Sequence, residues 1–125
     1  MHENEISAVI VDCALKVHKT LGPGLLESVY QAALTYELRK RGLNVVNEKP
    51  IPVIYEDVKL KVGFRADLIV ENKVIVEIKS IESIAPVLCK ILLTYLRLSE
   101  KKLGLLINFN VVLIKDGIKR VVDNL

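Results

Sequence analysis

Three residues with clear chemical potential lie in one short stretch, residues 64–79, which is typical of two β-strands joined by a turn at residues 71–73. Side chains alternate along a strand, so Glu77 and Lys79 share one face. A three-residue turn would place Asp67 directly opposite Glu77, with their Cβ atoms about 4.5–5.5 Å apart. A two-residue turn would move Asp67 to the other face, so this prediction depends on the register.

Two carboxylates that face each other repel unless a proton or a cation lies between them. Mg²⁺ and Mn²⁺ prefer carboxylate and water oxygens, and the backbone carbonyl of Ile78 could add a further ligand. Lys79 would then orient a water molecule or stabilise charge on a phosphate. The alternative is an ordinary cross-strand ion pair between Asp67 and Lys79, with Glu77 in solvent.

A third acid, Glu27, borders the apolar stripe of a predicted helix at residues 25–41, which includes Tyr30 and Leu34. An acid at that border is a candidate member of the same site. The alternative is that Glu27 stabilises the helix N-terminus, as first-turn carboxylates commonly do.

The remaining reactive side chains give weaker signals. His18 either stabilises a helix C-terminus or contacts a phosphate. Cys13 and Cys89 lack CxxC spacing and indicate buried thiols in a reducing cytoplasm. The basic clusters at 39–41 and 101–102 are either solvated helix ends or contacts for a nucleic-acid backbone.

The pattern along the chain predicts an α/β domain with the element order ααβββαβββ. The predicted elements are helices at 3–20, 25–41 and 86–99, strands at 45–55, 59–70, 74–79 and 103–109, and a terminal hairpin of 111–114 and 118–122. Because several strands follow one another without an intervening helix, we expect a mixed sheet flanked by helices.

The composition fits a single domain spanning residues 1–125. Hydrophobic residues make up 51% of the chain but aromatics only 5%, so Leu, Ile, Val and Ala must form the core. Such an apolar excess in a small domain favours an exposed apolar patch and a homodimer. The net charge of +3 permits nucleic-acid binding without requiring it. No apolar stretch reaches the roughly 18 residues of a membrane span, so we expect no membrane association.

The segments 21–30 (LGPGLLESVY) and 103–110 (LGLLINFN), together with His18, Asp67 and the Glu77-Ile78-Lys79 triplet, resemble the GxxExxY family. That family is placed within the PD-(D/E)xK nuclease superfamily, and the likeness runs from about residue 6 to residue 122. It implies a restriction-endonuclease-like core and a nuclease that depends on Mg²⁺ or Mn²⁺ and acts on DNA or RNA.

The resemblance also implies roles for individual residues. Asp67 and Glu77 would bind the metal ion, Glu27 would assist as a third acid and a further metal ligand, and Lys79 would be catalytic. The residues expected to support this set without touching the ion are His18, Tyr30 and Tyr95.

One position departs from the family pattern. Many relatives carry Gln four residues before the tyrosine of the third helix, whereas this chain has Ile91 four residues before Tyr95. Gln can hold a phosphate or a water molecule, and Ile cannot. Three functions therefore compete: a metal-dependent phosphodiesterase weakened by Ile91, a non-catalytic nucleic-acid-binding module, and a protein-interaction domain that uses the third helix.

Overall fold

The structure, a computed structural model, describes residues 1–125 and consists of three helices and a five-stranded sheet. The elements are α1 (Glu3–Leu21), α2 (Glu27–Lys40), β1 (Val45–Tyr55), β2 (Val58–Val70), β3 (Val74–Lys79), α3 (Pro86–Ser99), β4 (Leu103–Asn108) and β5 (Ile118–Val122). The strand order is β1-β2-β3-β4-β5, and only β3 and β4 pair in parallel. The predicted class, a mixed sheet flanked by helices in a restriction-endonuclease-like arrangement, is confirmed.

The helices cover the two faces of the sheet unequally. The larger apolar core joins α1 and α2 to one face, where Tyr30 and Leu34 pack with Val76. The smaller core joins α3 alone to the other face, where Leu92 packs with Ile75. Because β3 is buried on both faces, most of its side chains are apolar, and Glu77 and Lys79 are the two exceptions.

The turn between β2 and β3 sets the register on which the site depends. Val70 pairs with Val74, as the three-residue turn predicts. Glu71 and Asn72 both have a φ of 53°, and the Lys73 N–H donates to the Val70 carbonyl at 3.0 Å. Two successive residues with positive φ form the turn type whose twist suits antiparallel strands. The side chains of Asp67 and Glu77 consequently lie on the α3 side of the sheet.

The hairpin of β1 and β2 extends far beyond its neighbours. Its strands have 11 and 13 residues, whereas β3 and β4 have 6 each. The register shifts between Pro52 and Ile54, which bends the hairpin. A Cβ at Gly63 would lie 2.0 Å from the Ile51 carbonyl oxygen, so the bend requires glycine. We call the projecting part, residues 49–65, the hairpin arm.

The prediction of a β-strand at residues 111–114 is wrong. The chain instead forms bends and a short 3-10 turn at Ile114–Gly117 before it enters β5. The Val111 carbonyl accepts a hydrogen bond from His18 Nε2 at 2.8 Å, and Ile114 is buried in the larger core. A Cβ at Gly117 would lie 2.1 Å from the Asn108 carbonyl oxygen. This close approach turns the chain directly into β5.

Some apolar residues of α3 pack against the sheet of their own subunit, and others remain exposed. Leu92 is 1% exposed and lies so close to Gly104 that a Cβ there would meet Leu92 Cγ at 2.8 Å. Ile91 is 38% exposed.

No helix of the structure has both the length and the apolar character needed to cross a membrane.

Candidate functional site

A cavity of about 240 Å³ lies between the sheet and the first half of α3. Its lining residues are Arg65, Asp67, Glu77, Lys79, Leu88, Ile91, Leu92, Tyr95 and Leu106. The structure therefore brings together four of the predicted site residues: Asp67, Glu77, Lys79 and the supporting Tyr95. A single helix covers this face, and the acids lie where the covering by α3 is incomplete.

Asp67 is fixed at the point where β2 diverges from β3. The last ladder pair of these strands is Leu68 with Val76. Beyond it, the Asp67 carboxylate oxygen Oδ2 accepts the Ile78 N–H at 2.8 Å. On the other side, Gln31 Nε2 from α2 donates to the Asp67 carbonyl at 3.3 Å. The carboxylate and the backbone of Asp67 are thus held from two directions.

Glu77 is the most unusual group in the structure. It is 8% exposed, and its Oε1 is buried without a hydrogen-bond partner. Burial raises the pKa of Glu77 to about 9, and hydrogen bonding to Asp67 and repulsion from its charge add to the rise. The nearby Lys79 ammonium group lowers the pKa and offsets only part of the rise. A buried, unpartnered carboxylate is destabilising, so this position calls for a proton or a cation.

The residues present fit a hard divalent cation held by few protein ligands. No group of three His, Cys, Asp or Glu side chains lies close enough to form a cage of protein ligands. Mg²⁺ is commonly held by one or two carboxylates and keeps several water molecules. Asp67 and the unpartnered Oε1 of Glu77 supply that smaller set. The alternative ion pair between Asp67 and Lys79 is not present.

Glu27 is not brought together with the other two acids, which departs from the expected shared site. It does not line the cavity, because α2 packs on the opposite face of the sheet from α3. Its Oε2 accepts the Ser80 N–H at 3.0 Å, and Ser80 Oγ donates to the Leu25 carbonyl at 2.7 Å. Glu27 therefore fixes the residue that directly follows Lys79.

Tyr30 and His18 support the structure at a distance from the cavity. The Tyr30 hydroxyl donates to the Gly22 carbonyl at 2.6 Å and accepts the Leu25 N–H at 3.1 Å, which shapes the loop before α2. This loop places Glu27 against Ser80. His18 contacts Val111 and does not line the cavity.

Asn108 holds the segment after β3 from the other side. It is 1% exposed, its Oδ1 accepts the Ile81 N–H at 3.1 Å, and its Nδ2 donates to the Ile81 carbonyl at 2.9 Å. The backbone on the far side of Lys79 is therefore held by both Glu27 and Asn108. The sequence pattern contains Asn108 in a recognisable segment, but its role becomes visible only when β4 lies beside β3.

The α3 wall of the cavity combines an aromatic ring with apolar side chains. Tyr95 stacks on Phe64 with ring centroids 3.9 Å apart and planes 7° from parallel. Burial raises the pKa of the Tyr95 hydroxyl, and the negative charges of Glu77 and Asp67 raise it further. Ile91 lines the same cavity, at the position where many members of the resembling family carry Gln.

Sequence reasoning missed Arg65. This residue lines the cavity, and its guanidinium group makes no ion pair or hydrogen bond in the structure. The signal that could have identified it is its position two residues before Asp67 in the same strand. A free guanidinium beside two acids is a candidate phosphate contact.

A comparison with protein families connects this geometry to a known group. The model of the PD-(D/E)XK nuclease superfamily matches residues 4–121. Searches of curated proteins and of solved structures gave no match. The family match covers nearly the whole chain and includes the sheet, the three helices and the cavity with Asp67, Glu77 and Lys79. The chain therefore belongs to the PD-(D/E)XK nuclease superfamily.

Proposed function

We propose that this protein is a Mg²⁺- or Mn²⁺-dependent phosphodiesterase that acts on nucleic acid. The observation that carries the proposal is the buried Glu77 carboxylate, which has an unpartnered oxygen beside Asp67 and shares a cavity with Lys79. A purely structural hairpin gains nothing from such a carboxylate, because burial without a partner costs stability. A metal ion and a phosphate would satisfy the site.

The roles follow from the chemistry of each group. Asp67 and Glu77 would hold the ion, with the backbone carbonyl of Ile78 as a further ligand. When bound, the ion lowers the pKa of a coordinated water and neutralises charge on a phosphate oxygen. Lys79 orients the attacking water or stabilises the developing negative charge. Glu27 and Asn108 position the chain beyond Lys79 through Ser80 and Ile81, and the predicted role of Glu27 as a metal ligand is not part of the proposal.

Within the superfamily, we place the chain in the GxxExxY family. The contacts of Tyr30 and Glu27 support this assignment, because they give the motif a physical purpose: Tyr30 shapes the loop, and Glu27 fixes Ser80.

Cytoplasmic location and homodimer formation belong to the same proposal. The surface available to a second copy includes Leu26 and Val112, which are 74% and 89% exposed.

The direct test is cleavage of labelled DNA and RNA, single- and double-stranded, in Mg²⁺, in Mn²⁺ and in EDTA. We expect weak cleavage in either metal and none in EDTA, because the two acids need a cation to act on a phosphate. Equal cleavage in EDTA would contradict metal dependence.

Metal binding gives a second test that does not require turnover. Mg²⁺ or Mn²⁺ should raise the melting temperature of the wild type, because a ligand that binds only the folded state stabilises it by mass action. Asp67→Asn should remove this response. Glu82→Gln, which changes an exposed acid after β3, is the matched control and should keep it. An unchanged response in Asp67→Asn would show that the ion binds elsewhere.

The second candidate is a nucleic-acid-binding module without catalysis. Ile91 favours it, because an apolar side chain stands in the cavity where a polar group would hold substrate. Metal-independent binding together with no cleavage in any metal would favour this candidate.

A further inference from the structure

The hairpin arm packs on α3 only at its base, through Ile51 and Phe64, and no third strand pairs with it. On the N-terminal side of Leu68, β2 no longer pairs with β3. Only β1 pairs with this part of β2, as far as the tip at Tyr55 and Val58. Tyr55 and Val62 are 65% and 73% exposed. A two-stranded ribbon that carries exposed apolar side chains away from the sheet gives little stability to the core. Stability of the core therefore does not explain the exposed part of the arm.

The cations of the arm lack partners within the protein. Lys59, Lys61 and Arg65 lie along β2, are exposed, and form no ion pair or hydrogen bond. Lys59 and Lys61 line a concavity of about 510 Å³ on the arm, and no acid lines it. The acids of the tip, Glu56 and Asp57, lie in the turn between the strands. The concavity is therefore complementary to a polyanion.

This concavity lies next to the cavity that holds the acids, because β2 supplies neighbouring residues to both. Phe64 lines the concavity and stacks on Tyr95, which lines the cavity. Arg65, the next residue of β2, lines the cavity beside Asp67. One strand thus carries cations from the arm directly to the carboxylates.

We propose that the hairpin arm binds a single strand of nucleic acid and guides its backbone past Lys59, Lys61 and Arg65 to the site. This inference rests on the proposed function and specifies the substrate as single-stranded. Proteins that bind single strands combine a positively charged groove with apolar or aromatic surfaces for exposed bases. The concavity has both, since Pro52, Leu60 and Phe64 line it together with the lysines. A duplex hides its base faces and would leave these apolar walls without a use.

The test is binding of short labelled oligonucleotides in EDTA, measured by fluorescence anisotropy at several salt concentrations. Single-stranded DNA and RNA are separate arms, and a duplex of the same sequence is a third. We expect either single strand to bind about tenfold more tightly than the duplex, which corresponds to stacking of one base. Equal or tighter binding of the duplex would overturn the single-strand assignment.

The variant for this test is Lys59→Ala/Lys61→Ala, whose exposed side chains leave the core unchanged. Its salt slope for single strands should fall by about 1.4, because each phosphate contact contributes roughly 0.7. The control is Lys19→Ala/Lys115→Ala, which removes the same charge from exposed positions away from the arm and should keep the wild-type slope. Equal slopes for the two double variants would overturn the inference.

A further variant, Lys59→Glu/Lys61→Glu, should weaken single-strand binding more than the alanine pair does, and its melting temperature shows whether the fold persists.

The two proposals fail in different ways. Tight, arm-dependent binding without cleavage in any metal would support the arm and refute the phosphodiesterase. Metal-dependent cleavage unaffected by both arm variants would support the phosphodiesterase and refute the arm.

Discussion

Glu77→Gln should stabilise the metal-free protein at alkaline pH and flatten its stability between about pH 5 and pH 9. The cause is the environment of the Glu77 carboxyl group, whose pKa is raised from 4.5 to about 9 by burial and by Asp67. Gln keeps the shape and carries no charge at any pH. The amide also cannot ionise against Asp67.

The direction of the pH effect follows from proton linkage. Below pH 4.5, Glu77 is protonated in both the folded and the unfolded chain and contributes no pH dependence. Between pH 4.5 and about 9, the unfolded chain loses this proton while the folded chain keeps it, so the free energy of unfolding falls as the pH rises. One proton contributes at most about 1.4 kcal/mol per pH unit. Above pH 9 this contribution stays at its full, destabilising value.

Urea unfolding of the wild type and Glu77→Gln in EDTA, from pH 5.5 to pH 9, measures the effect. The wild type should lose stability relative to the variant as the pH rises, whereas Glu82→Gln should follow the wild type because its carboxyl group is exposed. Saturating Mg²⁺ should reduce the decline in the wild type, because metal binding favours the ionised carboxylate. Parallel curves for the wild type and Glu77→Gln would show that Glu77 titrates as an ordinary surface acid.

The hairpin that carries the acids could be predicted because its information is local. The polar turn at residues 71–73 indicates that Val70 pairs with Val74, the structure confirms this register, and strand alternation then assigns Asp67 and Glu77 to one face. The same local reasoning applied to Arg65 would have placed it in the cavity as well.

The remaining features depend on tertiary contacts that the sequence does not specify locally. Glu27 lies at the border of an apolar stripe, which indicates an inward position, but only the packing of α2 shows that its partner is the Ser80 N–H. Residues 111–114 have strong β propensity, yet the bond from His18 to Val111 and the close approach of Gly117 to Asn108 impose a different path. In both cases a long-range contact overrides the local preference.

Lys79→Ala should abolish metal-dependent cleavage and leave the fold intact. Lys79 lines the cavity beside Glu77, is half-buried and makes no ion pair, so we expect it to act in chemistry and not in packing. Loss of one group that stabilises developing charge typically lowers the rate by on the order of 10²–10³. Because we expect only weak cleavage by the wild type, this loss should take activity below detection. Lys115→Ala, an exposed lysine outside the cavity, should cleave as the wild type does.

Ile91→Gln should act in the opposite direction and raise cleavage by about tenfold or more, because it adds a group that can position a phosphate or a water molecule. Ile91 is 38% exposed at the edge of the cavity, so the polar side chain fits without burying an unpartnered amide. The double variant Ile91→Gln/Lys79→Ala should remain inactive, since substrate positioning cannot replace the lost charge.

Cleavage that survives both Lys79→Ala and EDTA would identify a contaminant. If neither the wild type nor Ile91→Gln cleaves DNA or RNA, the nucleic-acid-binding module becomes the better account of this chain.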